Sequence, residues 1–375
     1  MMNQLQETLE WIDAKLWGDW LMLVLIGVGI LYTVITGGVQ IRHFGYIMKK
    51  TLWEPICGKK QSAEDAGGIT SFQALCTAVA SCVGSGNIVG VSTAVVAGGL
   101  GAIFWMWVAA FVGMATKYSE IVLGLLYRER NEQGQWVGGP MYYIKKGLHA
   151  PWLAVLTALF MVTQIIGGNF IQSNTISGVM KENFGVMPLV TGIILVLLIF
   201  VITLGGLHRL ANVAQRLVPT MALLYVVGGL VIILFHYQQI PGVFVEIFES
   251  AFGLRAIAGG ALGSMILAMQ KGVARGLYSN EAGEGSAPVI HASANVKHPV
   301  QQGLTGVTEV FLDTFVICTI TGLLLGVTGV VGSGAPDNVL AINAFATVWE
   351  PLRYVCLLYT SSKAVSADTG RKSQL

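Results

Sequence analysis

The residues best suited to chemistry in this 375-residue chain lie inside one apolar run. From Ser71 it reads Ser-Phe-Gln-Ala-Leu-Cys-Thr-Ala-Val-Ala-Ser-Cys-Val-Gly-Ser-Gly-Asn. Gln73, Thr77 and Ser81 are spaced i, i+4 and i+8, which puts them on one face of a helix. Gly84, Ser85, Gly86 and Asn87 follow near the middle of the run. A glycine costs a helix about 1 kcal/mol relative to alanine, so the helix is expected to unwind here. Non-helical backbone at membrane depth is tolerated only where it lines a cavity or is buried in protein. A helix broken at this point suits a zwitterion plus a cation. The new N-terminus near Asn87 offers N–H groups and a positive dipole end to a carboxylate. The C-terminus of the first half, from Val79 to Cys82, offers carbonyl oxygens to a sodium ion. The alternative for the glycines is a seam of small residues between packed helices.

Two acids deepen the case. Glu309 and Asp313 are i, i+4 in an apolar stretch. Asp313 falls about 16 Å from the start of that stretch at 1.5 Å per residue, close to a bilayer midplane. An ionisable group there is a functional hypothesis by default; a hydrogen bond that locks two helices is the competing account. Gln164, Asn169, Gln172 and Asn174 punctuate another apolar run, and Gln164 is the deepest of them. Amides in a membrane helix either bond a neighbouring helix or face a substrate. Lys117 and Glu120, at i, i+3 near a helix end, can pair with each other and snorkel. Gly259, Gly260 and Gly263 precede Ser264, Met269 and Gln270 and mark a second place for a helix to break.

The elements that must carry these residues are membrane helices. The chain is 54% hydrophobic and 11% charged, against about 25% charged in a soluble domain. Eight apolar segments are long enough to cross a core of about 30 Å, at residues 20–40, 70–97, 101–127, 151–178, 188–206, 217–236, 254–277 and 302–330. A ninth, 339–359, is interrupted by Glu350, Pro351 and Arg353. Basic residues concentrate in alternate loops: Arg42, Lys49 and Lys50; Arg128, Arg130, Lys145 and Lys146; Arg209 and Arg216; Arg275 and Lys297. The positive-inside rule makes these loops cytoplasmic and the N-terminus external. The first 20 residues carry acids beside Trp11, Trp17 and Trp20 and read as an interfacial segment rather than a signal peptide. Residues 137–148 read as an interfacial helix, and the polar stretch 275–288 as a loop packed under the helices.

Other classes fit poorly. The five cysteines form no CxxC pair and the six histidines no HxxxH or HExxH spacing, so no metal site is expected. There is no GxxxxGK[ST] motif for nucleotide-driven transport, and Gly84-Ser-Gly86 lacks the spacing of a dinucleotide fingerprint. The net charge of +2 is spread over loops and implies no nucleic-acid partner. No cofactor and no protein partner are indicated. An enzyme would need a nucleophile with a base at membrane depth, and none is visible.

Three stretches carry a resemblance. Gly98-Gly-Leu-Gly-Ala-Ile-Phe-Trp-Met-Trp-Val-Ala-Ala-Phe-Val-Gly113, Gly138-Gly-Pro-Met-Tyr-Tyr143 and Arg275-Gly-Leu-Tyr-Ser-Asn-Glu-Ala-Gly283 resemble signatures of the alanine/glycine:cation symporter family. The resemblance covers about residues 15 to 345. It implies an all-α integral membrane protein of the leucine-transporter type, with two inverted five-helix repeats. An extra N-terminal helix and basic loop would occupy residues 1–69, the first repeat 70–237 and an incomplete second repeat 238–358; residues 359–375 read as a tail of unrelated character, as if the gene were truncated. It further implies sodium-coupled uptake of small neutral amino acids, alanine or glycine, across a bacterial inner membrane. Substrate contacts would come from Gln73, Thr77, Gly84, Ser85, Gly86, Asn87, Gln164, Met269 and Gln270. The coupling ion would be held by Ser81, Cys82, Asn87 and Asp313. A proton-coupled version and a non-transporting sensor remain the alternatives.

Overall fold

A computed structural model describes residues 18–58, 68–204, 206–253 and 263–350, with scattered positions before residue 18. The expected N-terminal interfacial segment lies mostly outside the described residues, as do Gly259, Gly260 and the tail. Helices dominate. The first, α1 (Asp19–Ile35), leads through short helical turns into α2 (Ser71–Cys82). A wide turn at Gly86–Gly90 then opens α3 (Val91–Gly98). Next come α4 (Gly101–Leu126), a two-residue hairpin pairing Glu129 with Val137, and the short amphipathic α5 (Pro140–Gly147). Then follow α6 (Pro151–Phe184), α7 (Pro188–Thr203), α8 (Gly206–Phe235), α9 (Ile240–Ala251), α10 (Gly263–Asn280) and α11 (Ser286–Ala292). Last come α12 (Pro299–Val310), a second wide turn at Phe311–Cys318, α13 (Thr319–Thr328) and α14 (Asp337–Ala346).

Among the described residues four helical stretches are long and apolar enough to cross a membrane: Gly101–Leu126, Pro151–Phe184, Arg209–Phe235 and Pro299–Thr328. Ser71–Cys82 with Gly86–Gly98 makes a fifth, bent by 50°. Trp20–Ile35 and Pro188–Ile202 are apolar but shorter. Apolar side chains of α6 and α7 lie on the outside, Phe170 at 71% and Leu189 at 69% exposure. A water-soluble protein does not tolerate such a surface, whereas hydrocarbon does.

Helix α4 is the axle. It packs against α1, α9, α10, α11 and α12. Close approach depends on glycine. A Cβ on Gly272 would lie 2.3 Å from the Ala102 carbonyl oxygen, and one on Gly124 would lie 2.5 Å from Pro288 Cβ. The glycines of α10 therefore admit α4 and do not unwind their own helix.

Two expectations shift. Helix α8 starts about ten residues earlier than the apolar run suggests; its polar first turns continue the helix through Pro219. The described part of the ninth span, 339–359, holds the ten-residue α14, and its residues from 351 on lie outside the described residues. Helix α14 lies over α3 and the first wide turn, with Leu340, Ile342 and Phe345 buried in the main core and the Phe345 ring 5.2 Å from that of Tyr225. Finally, Lys117 does not pair with Glu120.

Candidate functional site

The first break forms where the glycines place it. Thr70 and Gln73 close a reciprocal capping box at the start of α2, and the helix runs to Cys82. Val83 is extended, with ψ 110°. The Gly84 N–H donates to the side chain of Asn87 (2.8 Å) and the Ser85 N–H to Gln172 Oε1 (3.3 Å). Two of the N–H groups at the break are thus satisfied by side chains rather than by backbone.

A second break follows α10; the one expected at Gly259, Gly260 and Gly263 falls mostly outside the described residues. Residues 263–280 form an unbroken helix, and the chain turns between Asn280 and Ser286. Gly283 (φ 93°) and Gly285 (φ 80°) take left-handed conformations, and so does Glu281 (φ 54°). A non-glycine residue pays about 1–2 kcal/mol for that geometry, so the surrounding contacts must hold it. Ser286 Oγ donates to Glu281 Oε2 (2.6 Å), and Ser81 Oγ reaches the same oxygen at 3.5 Å.

The two broken helices run antiparallel. The backbone of Ile69, just before α2, bonds Ser293 and Asn295, just after α11. Helix α11 packs on α2, and α10 packs on α3. The breaks therefore face each other, and the two wide turns touch there. Such turns often mark functional positions in helices. Asn87 Nδ2 donates to Asp313 Oδ1 (2.6 Å), and Ser279 Oγ donates to Asp313 Oδ2 (2.8 Å). Thr314 Oγ1 lies 3.0 Å from the same oxygen. Cys318 Sγ is 3.3 Å from both Asn87 Nδ2 and Ser279 Oγ. Asn87, Ser279, Asp313 and Thr314 are all completely buried.

A second polar cluster lies between this one and the face carrying Arg128 and Lys297. Lys117 of α4 is fully buried and sits 3.0 Å from Glu309 Oε1. It also donates to the Asn280 carbonyl at 2.9 Å. The Cys82 thiol donates to Glu309 Oε1 (3.0 Å). His291 Nε2 stands 3.3 Å from Glu309 Oε2, and its Nδ1 stands 2.7 Å from Gln302 Nε2.

The predicted residues divide clearly. Ser85, Gly86, Asn87 and Asp313 meet at the crossing, with Gly84 beside them. Ser81 and Cys82 lie between the crossing and the lysine cluster. Thr77 is buried and bonds its own helix at Gln73 O (2.7 Å). Gln73 sits at the opposite end of α2, tied into the capping box and to Asn212 Oδ1 (2.8 Å). Gln164 is exposed and bonds Glu284. Met269 packs against Met22, Ala109 and Val273 beside α1, more than two turns before the second break. Gln270 stands next to it within unbroken α10. Ser279, Thr314 and His291 are added by the structure, while Gln172 and Lys117, both noted in the sequence, are brought to the two clusters. Gln172 shares a helix with Gln164, and its amide nitrogen is buried with no hydrogen-bond partner among the described residues.

Residues 2–357 match the sodium:alanine symporter family. The chain belongs to that family. Among its relatives is an uncharacterized transporter of Haemophilus influenzae, 47% identical over 335 residues, which is 87% of this chain and 70% of that protein. The sodium/alanine symporter AgcS of Methanococcus maripaludis is 43% identical over 323 residues, 85% of this chain and 70% of AgcS. A putative sodium/proton-dependent alanine carrier protein, YrbD of Bacillus subtilis, is 40% identical over 335 residues, 88% of this chain and 66% of YrbD. This symporter family member is a multi-pass membrane transporter for amino acids and not an enzyme. In a transporter the meeting of two helix breaks is the natural place for cargo, because backbone polar groups freed there can bind it.

Proposed function

We propose that the chain couples sodium entry to the uptake of a small neutral amino acid, alanine or glycine, across the bacterial plasma membrane. The observation that carries this reading is the buried carboxylate of Asp313 between the two breaks, held by Asn87 and Ser279. Hard cations take oxygen ligands, and the Asp313 carboxylate with the Ser279 and Thr314 hydroxyls offers such a set. The amino acid's carboxylate would take the spare amide N–H of Gln172, whose oxygen is already held by the Ser85 N–H at the break. The small room beside Gly86, whose added Cβ would lie 3.4 Å from Ser279 Cα, favours a short side chain.

The antiparallel broken helices support a leucine-transporter-type arrangement. Residues 70–237 form its first repeat, residues 238–358 contribute to the second, and α1 is an addition outside the repeats. The distribution of Lys and Arg favours a cytoplasmic basic-loop face and an external N-terminus.

The test is uptake of labelled alanine and glycine by proteoliposomes holding this chain, with an inward gradient of sodium or of potassium. Accumulation that follows sodium alone supports the proposal; equal uptake under both gradients refutes sodium coupling. Asp313 also favours a second reading, proton coupling, since a buried carboxylate can carry a proton. An inward pH gradient without sodium separates the two.

A further inference from the structure

The Lys117 cluster contributes none of the cargo contacts proposed above, yet it joins five helices. Its lysine reaches the Asn280 carbonyl at the last residue of α10 (2.9 Å), where the negative end of that half-helix dipole lies. Its glutamate takes the thiol proton of Cys82 at the last residue of α2 (3.0 Å). Through the other oxygen Glu309 faces His291 of α11. Gln302 Nε2 continues the chain to Ser71 O at 3.5 Å, the first residue of α2. One ion pair thus fastens α2, α10 and α11 to α4 and α12. All of these contacts lie on the basic-loop side of the crossing.

Stability alone is a weak reason for such a pair. The desolvation penalty of two buried charges often equals or exceeds their attraction, and apolar replacements of the pair are frequently neutral. A paired charge is, however, a good two-state contact: made when closed, and able to be hydrated when open. The groups it fastens are the ends of half-helices rather than a continuous helix face. Beside them lies Glu281 in a left-handed conformation, a strained joint of the kind that stores energy for a switch.

We infer that Lys117 and Glu309 form an internal latch that holds the basic-face halves of the two broken helices together, and that the latch parts when cargo leaves toward that face. Lys117 and Glu309 are positioning residues; they touch no cargo. The inference rests on the chain being a transporter and is independent of whether alanine and sodium are the cargo. Cys82 is a built-in reporter. It is buried within the latch and becomes accessible to water only when the latch opens.

The experiment uses the full chain in nanodiscs, a charged water-soluble thiol reagent, and mass spectrometry of the Cys82 peptide. Neither amino acid nor ion gradient is needed, so failure of the alanine reading does not affect the result. Two variants are compared with the parent. Lys117→Met with Glu309→Gln removes both charges together. Gly306→Ala keeps them but places a methyl group 3.2 Å from Lys117 Cγ and 2.7 Å from Ile121 Cδ1. Cys82 modification is expected to accelerate about tenfold in both, the effect of about 1.4 kcal/mol on the opening equilibrium. Gly306→Ala leaves both charges beside the thiol, so acceleration in that variant reports access rather than a change in the reactivity of Cys82. A parental rate in either variant, once shown to be folded and monodisperse, overturns the latch. Failure of both to fold also overturns it, since the pair is then structural.

Discussion

Asn87 and Asp313, 226 residues apart in the chain, lie 2.6 Å from each other through Nδ2 and Oδ1. The contact joins two wide helical turns, one in each of two separate helices. Asn87 also accepts the Gly84 N–H, so one side chain both caps the break and holds the acid. Chain break, acid and cap are one structure, and a change to any of them reaches the others.

Asp313→Asn keeps the shape and removes the charge. If the carboxylate binds the coupling ion, the sodium concentration for half-maximal alanine uptake rises at least about tenfold, which corresponds to about 1.4 kcal/mol. The variant remains folded, because the asparagine oxygen can accept from Asn87 while its amide donates to the Ser279 hydroxyl, which reverses its role. Uptake measured across a sodium series checks this, and an unchanged sodium dependence removes Asp313 from the ion site.

The helix seam makes a stability prediction. Gly272→Val forces side-chain atoms against the Ala102 carbonyl, already 2.3 Å from an added Cβ. Overpacking of this kind costs about 1–3 kcal/mol, and the thermal midpoint in detergent should fall. Gly167 has nothing within 4 Å of its added Cβ. Gly167→Ala in α6 should therefore stabilise, by up to about 1 kcal/mol from helix propensity.

Much of this was legible from residue spacing. The tetrad from Gly84 to Asn87 marks the first break because its glycines and amide share one apolar run. The short helix at Pro140–Gly147 follows from a proline start and a length too small to span. The expected break at Gly259, Gly260 and Gly263 lies mostly outside the described residues; the break between Asn280 and Ser286 falls inside the polar stretch 275–288, where two glycines take positive φ. Gly272 shows why glycine alone is an ambiguous signal, since it is a contact point for α4 within a continuous helix. Lys117 was misread because helix spacing points to Glu120 as its partner. Glu309 prevails because it is delivered by another helix and leaves the lysine inside; Glu120 instead accepts the Gly283 N–H (3.2 Å).

Gln73 separates cap from contact. It is fixed by the capping box and by Asn212. Gln73→Ala should lower the thermal midpoint, reflecting roughly 1 kcal/mol for the lost cap. The KM for amino acid should stay within a factor of two of the parent, roughly 0.4 kcal/mol. A large rise in KM at unchanged stability would return Gln73 to the substrate site.

Gln172 and Gln164 offer the sharpest comparison, because both sit on α6 two turns apart. Gln172 is buried, meets the Ser85 N–H through its oxygen, and keeps an unpartnered amide nitrogen. Gln164 is exposed and bonded to Glu284. A site that hydrogen-bonds its ligand loses affinity steeply when the partner is removed, because the remaining polar groups stay buried and unpaired. Gln172→Ala should therefore raise the KM for alanine about tenfold or more, equivalent to at least about 1.4 kcal/mol. Gln164→Ala should leave KM near the parental value. Uptake kinetics of the two variants, with surface expression matched, decide between them. If Gln164→Ala is the damaging change, the substrate lies toward the exposed side of α6 and not at the crossing of the breaks.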